Sequence, residues 1–474
     1  MKAYQMYIGG EFRDREQKIM VENPATEEVF AQIPQANKED LGFCLKKAKL
    51  AQKEWGNTPF KQRKGLLSGI SKVILENLRT LADLETNEIG KPIKETLLVD
   101  IPLSAQCFEY YASLVDTIHS PISVNQDTID IVQYVPFGSA GVFLPYNTPL
   151  MIFGFSCAAA LAAGNAVIIK PSEYGSLSLL EVAKYLNELD FPKGLINVIT
   201  GEGSVIGKAL ASSDIDIISY TGSSTHFKKM FKEMKPKKVI CELGGANLAI
   251  VFSDADLEEA VENIIASSFM KQGQMCIGTS IALIEEGIYE NFLETLIKKT
   301  EKIKVGDPTS ALTGMGPLRS KLHLDGLINK IEGFKIQGAR ILIGGEKIDT
   351  RGYFYAPTII EVKKLVYEEF FSPVLLVKAF KKEEIEDLIS DNPTGLALQI
   401  WSKDIKKAKK IALSVHCGAV WINTFAQMDA SIPFGGFKRS GWGRELGKWG
   451  LFEYLQPKHI GISFKKSPVS GWFG

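Results

Sequence analysis

Between Asn37 and about Glu88, the apolar positions Leu41, Leu45, Ala48, Leu66, Ile70, Val73 and Leu78 recur three and four residues apart among charged residues. That period predicts amphipathic helices. From residue 118 to 136 the pattern changes: Pro121 opens the segment, Asn125-Gln126-Asp127 reads as a turn, and Asp130 alternates with Ile129 and Ile131. A period of two with one polar face predicts strands, so a hairpin is expected. It suits a plain surface hairpin and an arm that joins another subunit equally well.

Residues 140–252 alternate short apolar runs with helical stretches. The runs are 140–145, 166–170, 195–200, 216–221 and 247–252, rich in Val and Ile. Between them, 148–163 reads as a buried helix, 176–189 as an amphipathic one, and 206–212 as a shorter one. Near-continuous Val/Ile runs spaced by helices predict a parallel sheet covered on both faces. A helix around 255–270 leads into a Gly-rich segment at 271–278. A second α/β block follows to about 420, with apolar runs at 339–345, 356–360 and 374–380. After Leu451, Ile460, Ile462 and Phe464 alternate in a last extended segment that ends in Ser-Gly-Trp-Phe-Gly.

Composition narrows the class. Hydrophobic residues are 45% and charged residues 23% of the 474, an ordinary globular mix of about three domains by length. Lys+Arg and Asp+Glu are both 55, and the lysine-rich stretch 228–238 has no aromatic platform, so no nucleic-acid partner is expected. The longest apolar stretch, 150–163, is too short to span a bilayer, so no membrane is expected either. The six cysteines are scattered and form no C-x-x-C, which fits a reducing, cytoplasmic setting. The five histidines have no ligand-like spacing, so no metal is expected.

Several short segments could carry chemistry, and each alone has a plainer reading. Gly201, Gly203 and Gly207 follow a strand and open a helix, as in a phosphate-binding turn or an ordinary strand-to-helix turn. Lys170-Pro171-Ser172-Glu173 ends a strand, where a Lys–Glu pair could hold ribose hydroxyls or simply be solvated. Asn147 could cap the buried helix. Glu242-Leu243-Gly244-Gly245 ends another strand, and Cys276 sits between Gly273 and Gly278, where the backbone can approach a ligand or the thiol can simply be buried.

In chain order the segments are Pro145-Tyr146-Asn147, Lys170–Glu173, Tyr220-Thr221-Gly222-Ser223, Glu242–Gly245, Gln272–Cys276, Glu368–Pro373 and Pro433–Lys438, with 34 residues from Glu242 to Cys276. This series, from about residue 7 to 465, resembles the aldehyde dehydrogenase superfamily of the NAD(P)-dependent, non-acylating type. The resemblance implies an α/β fold with a Rossmann-like cofactor domain (1–117 and 137–246), a second α/β catalytic domain (247–451), and a small β oligomerisation arm (118–136 and 452–474). It implies Cys276 as nucleophile, Asn147 with the Cys276 amide as oxyanion site, and Glu242 as general base. The reaction implied is oxidation of an aldehyde to a carboxylic acid through a thiohemiacetal, hydride transfer and thioester hydrolysis. The cofactor residues implied are Lys170, Ser172, Glu173, Gly201, Gly222, Ser223, Leu243, Glu369 and Phe371, with NAD favoured over NADP by Glu173.

The same resemblance places Thr148, Met151, Phe155, Met270, Ile277, Met428 and Phe434 on the substrate tunnel. Without Arg or Lys there, a neutral aldehyde is expected. A homodimer or homotetramer is implied by analogy. Three positions depart from the family pattern: Phe227 and Ser372 stand where glycine is common, and Ser156 stands where lysine is common. Competing readings are an acylating, coenzyme A-dependent relative, a cofactor-independent cysteine esterase or hydrolase, and a binding protein without turnover.

Overall fold

Two large sheets organise the molecule, a computed structural model that describes residues 1–465, 469, 471 and 472. In the first sheet the strands lie in the order Gly441–Trp442, Lys238–Leu243, Ile217–Gly222, Ser139–Leu144, Ala166–Pro171, Ile196–Val198, Met6–Ile8 and Glu11–Arg13. The five central strands are parallel. Their order reverses between Ser139–Leu144 and Ile217–Gly222, which makes that gap a topological switch point. Ligands of such sheets bind there, outside the carboxyl ends of the strands.

The apolar runs of the sequence became these strands because both faces are covered. Ala140, Val142, Val167, Ile168, Ile169, Ile217 and Ile218 are all fully buried. Helices Lys38–Trp55, Phe60–Glu76 and Leu78–Ile89 form from the first periodic region. Asn37 starts the first of them by accepting from the Glu39 and Asp40 amides, a capping box closed by Asp40.

The buried helix forms as expected, with one irregularity. It runs Pro149–Ile152, widens into a π turn at Phe153–Cys157, and resumes at Ala158–Ala162. Gly154 sits in that turn. A Cβ there would lie 2.7 Å from the Ser104 Cα and 2.8 Å from its carbonyl oxygen, on helix Ile101–Leu114. The absence of a side chain lets the two helices touch backbone to backbone.

The second sheet orders as Arg340–Ile343, Thr358–Glu361, Val374–Phe380, Thr279–Glu285, Asn247–Val251, Ala397–Trp401 and Ala419–Ile422, parallel except at the first strand. Beyond it the chain returns to the first sheet: Gly441–Trp442 pairs with Lys238–Leu243, at Cys241 and Glu242. A stretch expected wholly with the second sheet thus reaches back across the molecule.

The expected hairpin is present as strands Ile122–Val124 and Thr128–Pro136, joined by the predicted turn. The tail strand Leu455–Ser463 completes a three-stranded antiparallel sheet. Phe464 follows this strand, and of the closing residues 470–474 only Gly471 and Trp472 are among those described. Phe227 fills an aromatic cluster, with ring centroids 5.2 Å from Tyr220 and 5.4 Å from Trp442. No helix among the described residues is long and apolar enough to cross a membrane.

Because the atoms met at Gly154 belong to backbone, Gly154→Ala is expected to destabilise the protein by about 1–3 kcal/mol through overpacking. Denaturant unfolding checks this; an unchanged midpoint would show that the two helices separate freely.

Candidate active site

The carboxyl ends of the first sheet's parallel strands carry the residues singled out above. Ser139–Leu144 leads directly to Asn147; Ala166–Pro171 contains Lys170 and leads to Ser172 and Glu173; Ile217–Gly222 leads to Ser223; Lys238–Leu243 ends on Glu242 and Leu243. The register pairs Phe143 with Lys170, Thr221 with Glu242 and Gly222 with Leu243, so these ends are level with one another. The second sheet supplies the opposite wall from segments that precede its strands. Cys276 comes just before Thr279–Glu285, and Glu369 and Phe371 come just before Val374–Phe380.

Asn147 does not cap the buried helix; Thr148 occupies that position. Instead the Asn147 Nδ2 donates to the Gln274 carbonyl at 2.8 Å. The Gln274 Oε1 accepts from the Tyr146 hydroxyl at 3.2 Å and from the Arg319 amide at 3.2 Å. The amide expected at the oxyanion site and the loop expected to hold the nucleophile are therefore bonded to each other. Asn247 fixes the other side of that loop: its Nδ2 donates to the Cys276 carbonyl at 2.7 Å and the Gly278 carbonyl at 2.9 Å, and its Oδ1 accepts from the Ala397 amide at 3.0 Å.

Cys276 is half-buried and carries no disulfide. Burial pushes its thiol up to about 12, and the charges of Glu242 and Glu369 act in the same direction, against Lys271. Glu242 is buried and its carboxyl bonds no side chain, while the Gly436 backbone amide lies close enough to favour its charged form. Its carboxyl is held well above the ordinary range, mainly by burial and then by the charge of Glu445, with Arg444 opposing. Gly435 borders it, since a Cβ there would come within 2.7 Å of Glu242 Oε1. A buried carboxylate without a side-chain partner is costly for stability, and such groups concentrate where chemistry is done.

Behind Glu242 lies a second buried carboxyl. Glu445 accepts hydrogen bonds from the Ser156 and Ser219 hydroxyls and is raised to about 7 by burial. Ser156, in place of a lysine, thus leaves Glu445 with hydroxyl partners rather than a cation.

The residues expected to face a cofactor lie along the strand ends. Lys170 Nζ and Glu173 Oε2 are 3.2 Å apart. Burial disfavours the Glu173 charge, but Lys170 and the Gly203 amide outweigh it and hold the carboxylate below its usual range. The turn from Gly201 to Gly207 therefore packs against this pair, and Gly207 lies beside the Lys170 side chain. Helix Ser224–Phe231 begins after Ser223 with no side-chain cap, leaving its first amides open to an anion. Ser172 is used internally: its amide donates to the Leu144 carbonyl and its hydroxyl accepts from the Tyr174 amide. The Leu243 amide likewise donates to the Ser440 carbonyl.

Across the cleft, the Glu369 carboxyl lies on Gly244, where a Cβ would come within 1.8 Å of Oε1. Only glycine permits that approach. Glu369 Oε1 is buried without a partner, and burial raises the carboxyl to about 7. A buried acceptor beside a glycine floor fits a ribose hydroxyl. Phe371 holds a left-handed backbone at φ 51° and meets Tyr146 edge to face at 6.0 Å. Ser372, where glycine is common, hydrogen-bonds His323 Nε2 at 2.9 Å and so anchors this loop. His323 is pushed down to about 4, first by burial and then by Lys330.

Sequence reasoning did not single out Asn247, Lys271, Arg319 or Glu445, and read Gln274 only as part of the Gln272–Cys276 segment. Asn247 follows Gly244-Gly245 closely, and Glu445 follows Pro433–Lys438, so proximity to candidate motifs was the available signal. Nothing local marks Lys271 or Arg319, whose roles depend on contacts with residues more than 100 positions away.

Comparison with known proteins agrees with this arrangement. The model of the Aldehyde dehydrogenase family matches residues 12–460. The chain is 37% identical to betaine aldehyde dehydrogenase of Bacillus subtilis (strain 168), with 99% of each covered. It is 36% identical to peroxisomal aminoaldehyde dehydrogenase 1 of Pisum sativum, covering 100% of this chain and 98% of that one. A crystal structure of a betaine aldehyde dehydrogenase point mutant from Staphylococcus aureus, in complex with NAD+ and with a modified cysteine, superposes at a TM-score of 0.97, with 34% identity and all of both chains covered. The chain belongs to the aldehyde dehydrogenase family, NAD(P)-dependent oxidoreductases that act on aldehydes.

Proposed function

We propose that the protein oxidises a neutral, small or medium aldehyde to its carboxylic acid, with Cys276 as nucleophile, Asn147 at the oxyanion and Glu242 as the base that activates water. The observation that carries the assignment of Glu242 is its buried carboxyl, which no side chain of the protein bonds. It can take a proton from water without giving up a side-chain partner.

In this reading the Cys276 thiol gives up its proton to solvent as its sulfur attacks the carbonyl carbon, and the oxygen that becomes negative faces the Asn147 amide and the Cys276 amide. One such donor typically contributes about 3 kcal/mol. Collapse of the adduct leaves an acyl group on Cys276, with bound NAD supplying the hydride acceptor. Glu242 then removes a proton from water, which attacks the thioester and frees the thiol. Glu369 would hold the nicotinamide ribose, Phe371 the ring, and Gly201, Gly222 and Ser223 the pyrophosphate region. Lys170 and Glu173 would face the adenosine ribose, where the Glu173 carboxylate favours a 2′-hydroxyl over a 2′-phosphate and so NAD over NADP. Ser172 and Leu243 support these positions through their backbone bonds.

We read the first sheet as the cofactor half and the second as the catalytic half. The three-stranded sheet of 122–124, 128–136 and 455–463 is the arm through which a second copy would dock, as a homodimer or homotetramer. Six free cysteines fit a reducing, cytoplasmic location.

The tunnel residues support a neutral substrate. Phe155 and Phe434 are buried and meet edge to face at 6.2 Å, and Met151, Met428 and Cys276 pack against the same core. Two aromatic rings could also face a quaternary ammonium, and the relatives' names favour that second reading. Betaine aldehyde and 3,3-dimethylbutanal have the same shape and differ by one charge. The neutral aldehyde is expected to have the higher kcat/KM; the reverse order would establish the cationic reading. Succinic semialdehyde should be poorer than a straight-chain aldehyde.

Glu242→Gln is expected to keep a single burst of NADH while steady turnover falls about 10²–10⁴-fold. Cys276→Ala should abolish both and still bind cofactor. Because the Glu242 carboxyl lies well above the usual range, its proton-accepting form is scarce at low pH, so wild-type kcat should climb as pH rises. A burst that survives in Cys276→Ala, or turnover unchanged in Glu242→Gln, contradicts these roles.

A further inference from the structure

Beneath the active site five charged side chains meet with almost no access to solvent. Asp100 is fully buried, and its two oxygens take different lysines: Oδ2 accepts from Lys91 Nζ at 2.7 Å and Oδ1 from Lys271 Nζ at 2.6 Å. Lys91 also donates to Glu85 Oε2 at 2.5 Å and to the Asn147 carbonyl at 3.2 Å. Glu85 Oε1 accepts from the Leu150 amide and the Ser178 hydroxyl, each at 3.0 Å. At the other end, the backbone amide of Lys271 donates to both Glu95 oxygens at 3.1 and 3.2 Å. One connected set of bonds thus runs from the helix start that carries Asn147 to the loop that carries Cys276.

The loop end of that set is held in an uncommon shape. Lys271 and Gln272 both have left-handed backbones, φ 51° and 57°, which L residues rarely adopt and which persist only where the surroundings impose them. Here they are imposed by Glu95, by Asp100, and by the Gln272 side chain donating to the Gly90 carbonyl. Lys271 is also the cation set against the two carboxyls that face Cys276, Glu242 and Glu369. A neutral side chain would fill the same space with less desolvation cost, so burying a lysine here calls for an electrostatic explanation.

We propose that Lys271 is a positioning residue for the nucleophile: a buried cation, coupled to Lys91 through Asp100, that locks the Cys276 loop to the Asn147 helix start and presents positive charge to the thiol. This rests on the reading of Cys276 as nucleophile. Lys271 touches neither substrate nor cofactor in this account; it acts through the loop and through its field.

The test is the rate at which iodoacetamide alkylates Cys276 in the protein without cofactor, followed by peptide mapping between pH 7 and 9.5. Below its midpoint a thiol reacts in proportion to its thiolate fraction, about tenfold per pKa unit. Lys271→Met is expected to slow alkylation roughly tenfold at each pH, and Lys271→Arg to restore it. Asp100→Asn, which removes the counter-charge and keeps both lysines, is expected to speed it. Circular dichroism melting checks that each variant is folded; should Lys271→Met not fold, the direction of the Asp100→Asn change decides.

Rates that stay unchanged, or that move in the same direction in Lys271→Met and Asp100→Asn, overturn the proposal, because loss of structure alone exposes the thiol and would push both the same way. In steady state, Lys271→Met should lower kcat and leave cofactor affinity intact. The alkylation readout needs no aldehyde. A protein that shows the alkylation pattern but oxidises no aldehyde would sink the functional reading and leave the role of Lys271 standing.

Discussion

The hydrogen bond from the Asn147 side-chain amide to the Gln274 carbonyl, at 2.8 Å, ties the proposed oxyanion donor directly to the loop that carries Cys276. Asn147 belongs to the carboxyl end of a strand in one sheet, and Gln274 belongs to the loop ahead of a strand in the other. In the proposed mechanism a nucleophile and an oxyanion donor on separate sheets act together only if their spacing is fixed to a fraction of an ångström. The surrounding contacts serve that spacing: Asn247 holds the Cys276 and Gly278 carbonyls, Arg319 braces Gln274, and the lysine–carboxylate set lies beneath.

The site also holds three buried carboxyls, Glu242, Glu369 and Glu445, all raised first of all by burial. Glu242 has no side-chain partner, Glu369 has an unpartnered oxygen, and Glu445 has one unpartnered oxygen besides the one its serines bind. A fold can carry such groups only against a large, well-packed core, which the two sheets and their helices provide. Burial, with the charges of neighbouring carboxyls added, raises the Cys276 thiol and the Glu242 carboxyl above their ordinary ranges.

Much of this was legible in the sequence. Apolar runs marked the parallel strands, because strands buried on both faces must be apolar throughout. Residues 118–136 alternated, because the hairpin keeps partly exposed faces. Cys276, Glu242, Asn147 and Glu369 were singled out from ordered motifs; in the structure Asn147 bonds the loop of Cys276, Glu369 lies on Gly244, and the charges of Glu242 and Glu369 act on Cys276. What was not legible depends on distance along the chain. The return of Gly441–Trp442 to the first sheet pairs residues about 200 positions from Glu242, and two residues give no periodic signal. Lys271 is a plain lysine in a Gly-rich segment until Asp100 is placed against it. Ser156 and Ser372 read only as departures, yet one bonds Glu445 and the other anchors His323.

The most direct test of the central claim is to find where the acyl group resides. Glu242→Gln protein mixed with aldehyde and NAD, quenched in acid within one turnover and mapped by mass spectrometry, is predicted to carry one acyl mass on the peptide containing Cys276. NADH formed without that adduct, or with the acyl mass on another residue, would contradict the account.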